Sequence, residues 1–167
     1  VWRLDDGTVL VAWYRAAQLI EPDLARGEGG RILWEYRVEA PNEIPSCQPL
    51  ADGRVLVGVC GPCELLEIDR DGTVLKRIPL PKPEGSLHAQ FRFCRKTPTG
   101  TYLVPFLEAG QVKEFDGEGH VIRQFEWAGP AVSAERLSSG NTLIGGGGRV
   151  CEFAPDGSVV WDLDAED

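Results

Sequence analysis

The chain has 167 residues, 43% of them hydrophobic, which is enough to build one cored domain and argues against disorder. Its net charge is −9, from 26 acidic and 17 basic residues, and the basic residues are scattered, whereas a phosphate backbone is bound by clustered Lys and Arg; a nucleic-acid partner is excluded on this ground. The longest apolar runs, such as residues 55–59, have strand length and fall far below the roughly 18 residues of a membrane span, so no membrane segment is expected.

The chain opens Val1-Trp2-Arg3-Leu4, contains no methionine, and shows no signal-peptide pattern. It therefore reads as a piece of a longer polypeptide, with any targeting signal upstream. Five cysteines cannot all pair within one molecule, and they leave the redox compartment open.

In chain order, a polar turn closed by Gly and followed by an apolar run occurs four times. The copies are Asp6-Gly7-Thr8-Val9-Leu10, Asp52-Gly53-Arg54-Val55-Leu56, Thr99-Gly100-Thr101-Tyr102-Leu103 and Ser139-Gly140-Asn141-Thr142-Leu143. Their glycines stand 46, 47 and 40 residues apart. A second Gly turn follows each first one, at Gly30, Gly72, Gly119 and Gly157. Ahead of the second turn, Glu67-Ile68-Asp69, Glu114-Phe115-Asp116 and Glu152-Phe153-Ala154 match position for position.

Each repeat resolves into four short strands. In the second repeat they are expected near residues 46–50, 54–59, 64–69 and 73–78. Four strands in roughly 40 to 50 residues are what a propeller blade needs. No segment carries apolar residues at helical spacing over ten or more positions, so no helix is expected. A β-sandwich would not produce four matched repeats. The fold class expected is all-β: a β-propeller with four blades of four antiparallel strands, forming part of a larger ring. The chain is taken as a single propeller segment, with blades near residues 1–39, 43–80, 89–127 and 132–164.

The repeat resembles the quinoprotein-like (PQQ-like) propeller blade, whose last strand follows a Gly turn and ends in Trp. Gly30-Arg31-Ile32-Leu33-Trp34 and Gly157-Ser158-Val159-Val160-Trp161 keep that pattern, while Lys76 and Arg123 replace the Trp in the middle repeats. The stretch Ser86-Leu87-His88-Ala89-Gln90-Phe91-Arg92-Phe93-Cys94 is similar to a segment of bacterial propeller proteins without assigned activity. The resemblance points to the periplasm or the cell exterior as the setting. Quinone-dependent dehydrogenases of this fold carry a metal site and an aromatic floor that this sequence does not supply, so no cofactor and no metal are expected. The WD-repeat signature is also missing, since Trp161-Asp162 occurs once.

As the resemblance implies, ligands sit on the face where one blade's outer strand connects to the next blade's inner strand. The connections concerned are residues 42–46, 84–92 and 127–135, with Arg15, residues 60–63, Glu108 and residues 145–148 in the neighbouring loops. The candidate ligand-binding residues are His88, Gln90, Arg92, Glu43, Trp127 and Glu135. His88 is placed where the third blade's inner strand begins. Strand alternation would put His88, Gln90 and Arg92 on one side, offering a base, an amide and an anion-binding guanidinium. The competing reading has His88 and Gln90 satisfying loop backbone while Arg92 pairs with Glu43 or Glu135. His120 follows a turn Gly and reads as a surface residue.

Cys60-Gly61-Pro62-Cys63 has the dithiol spacing of thioredoxin-like oxidoreductases, but it lies between two strands rather than at the start of a helix. It is expected in a solvent-accessible turn, able to form a disulfide or serve a redox role. Cys47 and Cys94 share a column with Ala134 and read as small buried residues. The Gly145-Gly146-Gly147-Gly148 run lacks the Lys and the helix of a phosphate loop, so a hairpin loop is expected.

The function expected is a non-enzymatic recognition or scaffold module for a small molecule or glycan. The alternative is a propeller enzyme, a polysaccharide lyase or sulfotransferase-like protein using His88 and Arg92, with Arg clamping a carboxylate or sulfate. The remaining blades, or a second copy of the chain, are expected as the partners that close the ring.

Overall fold

The computed structural model describes residues 1–164. Within them lie four four-stranded antiparallel sheets, each with its strands in chain order. The first sheet holds β1 (Trp2–Arg3), β2 (Val9–Trp13), β3 (Ala16–Pro22) and β4 (Gly30–Arg37). The second holds β5 (Glu43–Pro49), β6 (Val55–Cys60), β7 (Glu64–Ile68) and β8 (Val74–Pro79). The third holds β9 (Arg95–Lys96), β10 (Tyr102–Phe106), β11 (Gln111–Phe115) and β12 (Val121–Glu126). The fourth holds β13 (Ser133–Arg136), β14 (Thr142–Gly146), β15 (Arg149–Phe153) and β16 (Val159–Asp164). The all-β, four-blade class read from the repeats is the one observed. A single 3-10 turn, Leu87–Ala89, is the helical element among the described residues.

The first glycine of each repeat makes the turn between its inner two strands. Gly7, Gly53, Gly100 and Gly140 all have φ between 81° and 89°, a region that costs an L side chain energy. Their amides donate to the carbonyls of Leu4, Leu50, Thr97 and Leu137, at 2.9 to 3.0 Å. Asp side chains cap two of these four turns, where Asp6 Oδ1 accepts from the Thr8 amide and Asp52 Oδ1 from the Arg54 amide, and at the second glycine turn of the third blade Asp116 Oδ1 accepts from the Glu118 and His120 amides.

All four blades share a register shift at the same place, between Leu19 and Ile20, Glu67 and Ile68, Glu114 and Phe115, and Glu152 and Phe153. The extra residue falls on the outer strand, at Leu33, Leu75, Ile122 and Val160, and all four are exposed aliphatic residues. A bulge increases local twist and leaves one residue without a cross-strand partner. Because it recurs at the same place in every blade, the differing spacing of paired glycines comes from the connections, such as the longer link between β3 and β4.

The residue just before the shift decides how each blade is stitched. Glu67 is 1% exposed and accepts from Arg54 Nη1 at 2.6 Å. Glu114 is 5% exposed and accepts from Thr101 Oγ1 at 2.6 Å. Glu152 accepts from Asn141 Nδ2 at 2.6 Å. In all three the donor is the residue that follows the first glycine, so a carboxylate, buried in Glu67 and Glu114 and half-buried in Glu152, ties the second strand to the third. The first blade has Leu19 in this column, and its Thr8 hydroxyl turns back to Asp6.

Two compact units divide the chain at residues 80 and 81. In the first unit, Leu10 and Ala17 of one sheet pack on Ile44, Cys47, Val57, Val59, Leu66 and Ile68 of the next, with Trp2, Trp34 and Tyr36 against the same core. Trp34 Nε1 donates to the Asp69 carbonyl at 3.0 Å and Trp2 Nε1 to the Cys47 carbonyl at 2.7 Å, so each indole also fixes the sheet-to-sheet register. In the second unit, Leu103, Val112, Phe125 and Trp127 of one sheet meet Ala134, Ile144, Cys151 and Phe153 of the other.

Candidate functional site

In the second unit, a segment of residues 81–94 leads to β9, and it carries three of the residues nominated from sequence. His88 and Gln90 do not lie on a strand. Ser86 is extended and is followed by the 3-10 turn Leu87–Ala89, which Gln90 ends in the right-handed helical region. Two-residue alternation therefore does not apply, and the three side chains do not line one strand face. His88 is exposed, Gln90 is buried, and Arg92 is half-buried.

Pro105 accounts for the short inner strand. Strand β9 pairs Lys96 with Tyr102 and Arg95 with Leu103, so continuing the ladder would bring Phe93 opposite Pro105. Proline has no amide hydrogen to give. Its carbonyl accepts from the Arg92 amide at 3.1 Å, while Phe93 turns to the fourth sheet, bridging Ser133 and donating to the Val132 carbonyl at 3.2 Å. Arg92 then bends back on its own backbone, with Nη1 donating to the Phe91 carbonyl at 2.8 Å.

Beneath the proline-rich start of this segment lies a hollow of about 330 Å³ between Pro81, Pro83, Glu84, Phe106 and Lys113. The Lys113 ammonium stands 5.5 Å from the Phe106 ring centroid, within cation–π reach. Glu108, at the neighbouring loop, approaches Gly85 closely enough that a side chain at Gly85 would meet its carboxylate at 3.0 Å.

Trp127 is not part of an open surface. It is 5% exposed, its amide donates to the Gly110 carbonyl at 2.8 Å, and the Arg149 guanidinium stacks 5.2 Å from its ring centroid. Its Nε1 is buried with no hydrogen-bond partner among the described residues. Arg149 is held by a two-pronged pair with Asp162, at 2.7 and 2.5 Å, which draws the Asp162 carboxyl below and pushes the Arg149 guanidinium above their usual values. The sequence offered no sign of this stack, because Arg149 lies on β15 of the fourth sheet and Trp127 follows β12 of the third.

Glu135, expected in a connection, lies within β13 and is exposed. In the first unit, Glu43 likewise heads strand β5, half-buried and opposite Cys60. His120 is at the surface, its Nδ1 3.0 Å from Asp116 Oδ2.

The cysteine turn corrects a second expectation. Cys60 and Cys63 are both buried, at 0% and 1% exposure, rather than solvent-accessible. Cys60 ends β6, and Cys63 adopts a left-handed φ of 61°, with its carbonyl accepting from the Leu80 amide at 3.0 Å. The Leu80 amide just after β8 bonds to this turn, a contact that hairpin spacing alone does not reveal. Cys47, Cys94 and Cys151 are buried as well. Residues 145–148 form the expected hairpin loop between β14 and β15. Among the described residues no group of three or more His, Cys, Asp or Glu could hold a metal ion.

No protein-family model and no curated protein matches the chain. Solved structures do. A protein of unknown function from Bacteroides caccae matches with a TM-score of 0.84 and 28% identity over 97% of this chain and 58% of that one. Virginiamycin B lyase from Staphylococcus aureus, in a catalytically inactive form with quinupristin, matches with a TM-score of 0.69 and 13% identity over 98% of this chain and 54% of that one. A chain of the BBS1N–ARL6DN complex matches with a TM-score of 0.63 and 15% identity over 93% of this chain and 50% of that one. These neighbours are β-propeller proteins, and the likeness shows that fold for the present chain. The chain spans between half and three-fifths of the length of each.

Proposed function

We propose that the chain is a non-enzymatic recognition segment of a β-propeller, binding a small molecule or glycan where residues 81–94 reach the surface. The observation that carries this reading is the break in the repeat at that place. The link from β4 to β5 is short, whereas the segment before β9 is long, interrupted by Pro81, Pro83 and Gly85, and ends in an irregular run held by its own backbone. Irregular loops on a regular scaffold are where binding chemistry concentrates. This one offers the exposed His88 imidazole and the half-buried Arg92 guanidinium. Arg92 is preorganised by its bond to the Phe91 carbonyl, which leaves the other guanidinium nitrogens for a carboxylate, a sulfate or sugar hydroxyls. Trp127 and Glu135 fall outside this set, one buried and the other on a strand.

The test is direct binding of the full chain to a panel of neutral and acidic oligosaccharides by calorimetry, with the mixtures then analysed for cleavage. Saturable binding without product supports recognition. Turnover of an acidic polysaccharide would replace this reading with the lyase one.

We further propose that another blade, from the rest of a longer chain or from a second copy, covers the outer face of β16. Trp161 occupies the position of Trp34 in the first blade, where the indole donates to the next blade's carbonyl. Here Trp161 is 43% exposed and donates to Glu152 of its own blade at 2.8 Å, with Val159 and Leu163 also exposed beside it. An apolar strand face of this kind favours association.

A further inference from the structure

The second unit shows how the cleft between two neighbouring blades is filled. Glu114 of the third blade accepts from Arg136 Nη2 of the fourth at 2.6 Å, and Arg123 stands behind it with Nε 3.9 Å from the same carboxylate oxygen. Arg136 also donates to the Gly140 carbonyl at 3.1 Å. Three charged side chains therefore plug that cleft.

The same three positions in the first unit hold no charge. By strand register, Leu19 stands for Glu114, Trp34 for Arg123, and Pro49 for Arg136. These three residues line a cleft of about 470 Å³ between the first two blades, on the side of the glycine turns. The polar plug is replaced by an apolar floor, completed by Leu10 and Val55. The Trp34 ring plane is fixed, because its Nε1 is committed to the Asp69 carbonyl.

The rim supplies the charge. Asp5, Asp6 and Asp69 line the cleft, as do Arg54 and Arg70. Arg54 is already neutralised by Asp52 and Glu67, which lie outside the lining. Asp6 is held below the usual carboxylate range, first by its bonds from Thr8 and then by the charge of Arg70, so it stays ionised. Asp5 carries no hydrogen bond among the described residues and faces solvent. Asp6 and Asp69 each give one carboxylate oxygen to the backbone of their own turns, so the mouth carries three carboxylates against one guanidinium, with Asp5 the carboxylate that carries no bond, above an indole whose face attracts cations.

We infer that this cleft binds a small amphipathic cation, an amine carried on an aromatic or short aliphatic body. The apolar body lies on Leu19, Pro49 and Trp34, and the ammonium sits at the Asp5 side of the rim. This site lies wholly in the first unit and is separate from the His88 and Arg92 surface, so either proposal can fail alone.

The test uses the full chain and three probes of similar size: phenethylammonium, phenylacetate and 2-phenylethanol. The indole Nε1–H resonance of Trp34 is followed by NMR. The expected result is saturable movement of that resonance by phenethylammonium with a Kd of about 1 mM or tighter, a reasonable value for nine heavy atoms. Phenylacetate should bind about tenfold more weakly or not at all. Asp5→Asn should weaken the amine by about threefold and leave the alcohol unchanged, and Leu19→Phe should abolish binding by filling the floor. Equal or tighter binding of phenylacetate, no saturation by any probe, or an Asp5→Asn variant that binds the amine unchanged would overturn the inference. Asp5→Asn alters an exposed side chain with no structural bond, so it remains informative if Leu19→Phe fails to fold.

Discussion

Arg136 reaches from the fourth blade to the third and donates through Nη2 to Glu114 Oε2 at 2.6 Å, so a buried carboxylate carries the joint between two sheets. Thr101 Oγ1 donates to the other oxygen of the same carboxylate. Removing one partner of a buried charged pair leaves the other unsatisfied, at a cost of about 3 kcal/mol or more. Arg136→Ala is therefore expected to destabilise the fold by about that amount, measured by chemical denaturation. Arg77→Ala, which removes an exposed partner of Glu64, should cost about 1 kcal/mol or less. Equal costs for the two would mean that the Glu114 joint adds nothing special.

Gly146 and Gly157 separate strain from crowding. Both have positive φ, at 158° and 89°, but a methyl group on Gly157 meets nothing within 4 Å, whereas one on Gly146 would overlap the Pro130 carbonyl oxygen and press on the Val132 amide. Gly157→Ala should cost about 1 to 2 kcal/mol, the ordinary left-handed penalty. Gly146→Ala should cost distinctly more, because backbone cannot step aside as a side-chain tip can. Thermal melts of the two variants would check this order.

Asp52 provides a prediction in pH. Its carboxyl is lowered from 3.8 to about 2, chiefly by the side-chain bond from Arg54 and then by the Arg54 amide. Because the folded value is the lower one, the stabilisation is fully present above about pH 3.8 and is lost as the pH falls through about 2. Carboxyl NMR should show Asp52 titrating near the lower value. In Arg54→Gln the midpoint should move up towards 3.8, though not fully, since the amide bond remains. A midpoint that does not move would remove the side-chain bond as the cause.

The five buried thiols should react slowly with a bulky thiol reagent in the native protein and quickly after unfolding. This includes Cys60 and Cys63, and Cys151, whose thiol is pushed up by burial. Fast native labelling of the Cys60 turn would contradict its packing and return a redox role to consideration.

Some of this was legible in the sequence. The glycine turns and the Glu67, Glu114 and Glu152 column repeat in plain view, because turn chemistry is local. The use made of those glutamates is not local: each depends on the register that sets it beside the residue after the first glycine. The cluster at His88 was misread for a related reason. Residues 88–92 look like the start of a strand until Pro105 is placed opposite, where it cannot extend the ladder. Cys60 and Cys63 were misplaced because a hairpin turn predicts exposure, whereas both side chains are buried and Cys63 is bonded by the returning Leu80 amide. Leu19 joins the glutamate column only through strand register, because the longer link before Gly30 hides it from sequence spacing, and its meaning required Pro49 and Trp34 beside it.

The outer face of β16 predicts concentration-dependent behaviour. In sedimentation equilibrium, the weight-average mass should rise above 18.3 kDa with loading concentration, and Trp161→Ser should reduce the rise. A mass fixed at the monomer value would mean that this face does not seek a partner.

The central claim, that residues 81–94 form a recognition surface, is tested most directly by comparing three variants against the tightest oligosaccharide from the binding panel. His88→Ala and Arg92→Ala change the proposed surface, while His120→Ala changes an exposed histidine on a glycine turn. The account predicts that Arg92→Ala weakens binding by about tenfold or more, the scale of one charge-assisted hydrogen bond, that His88→Ala weakens it less, and that His120→Ala leaves it unchanged. Equal affinity across the wild type and all three variants would contradict it.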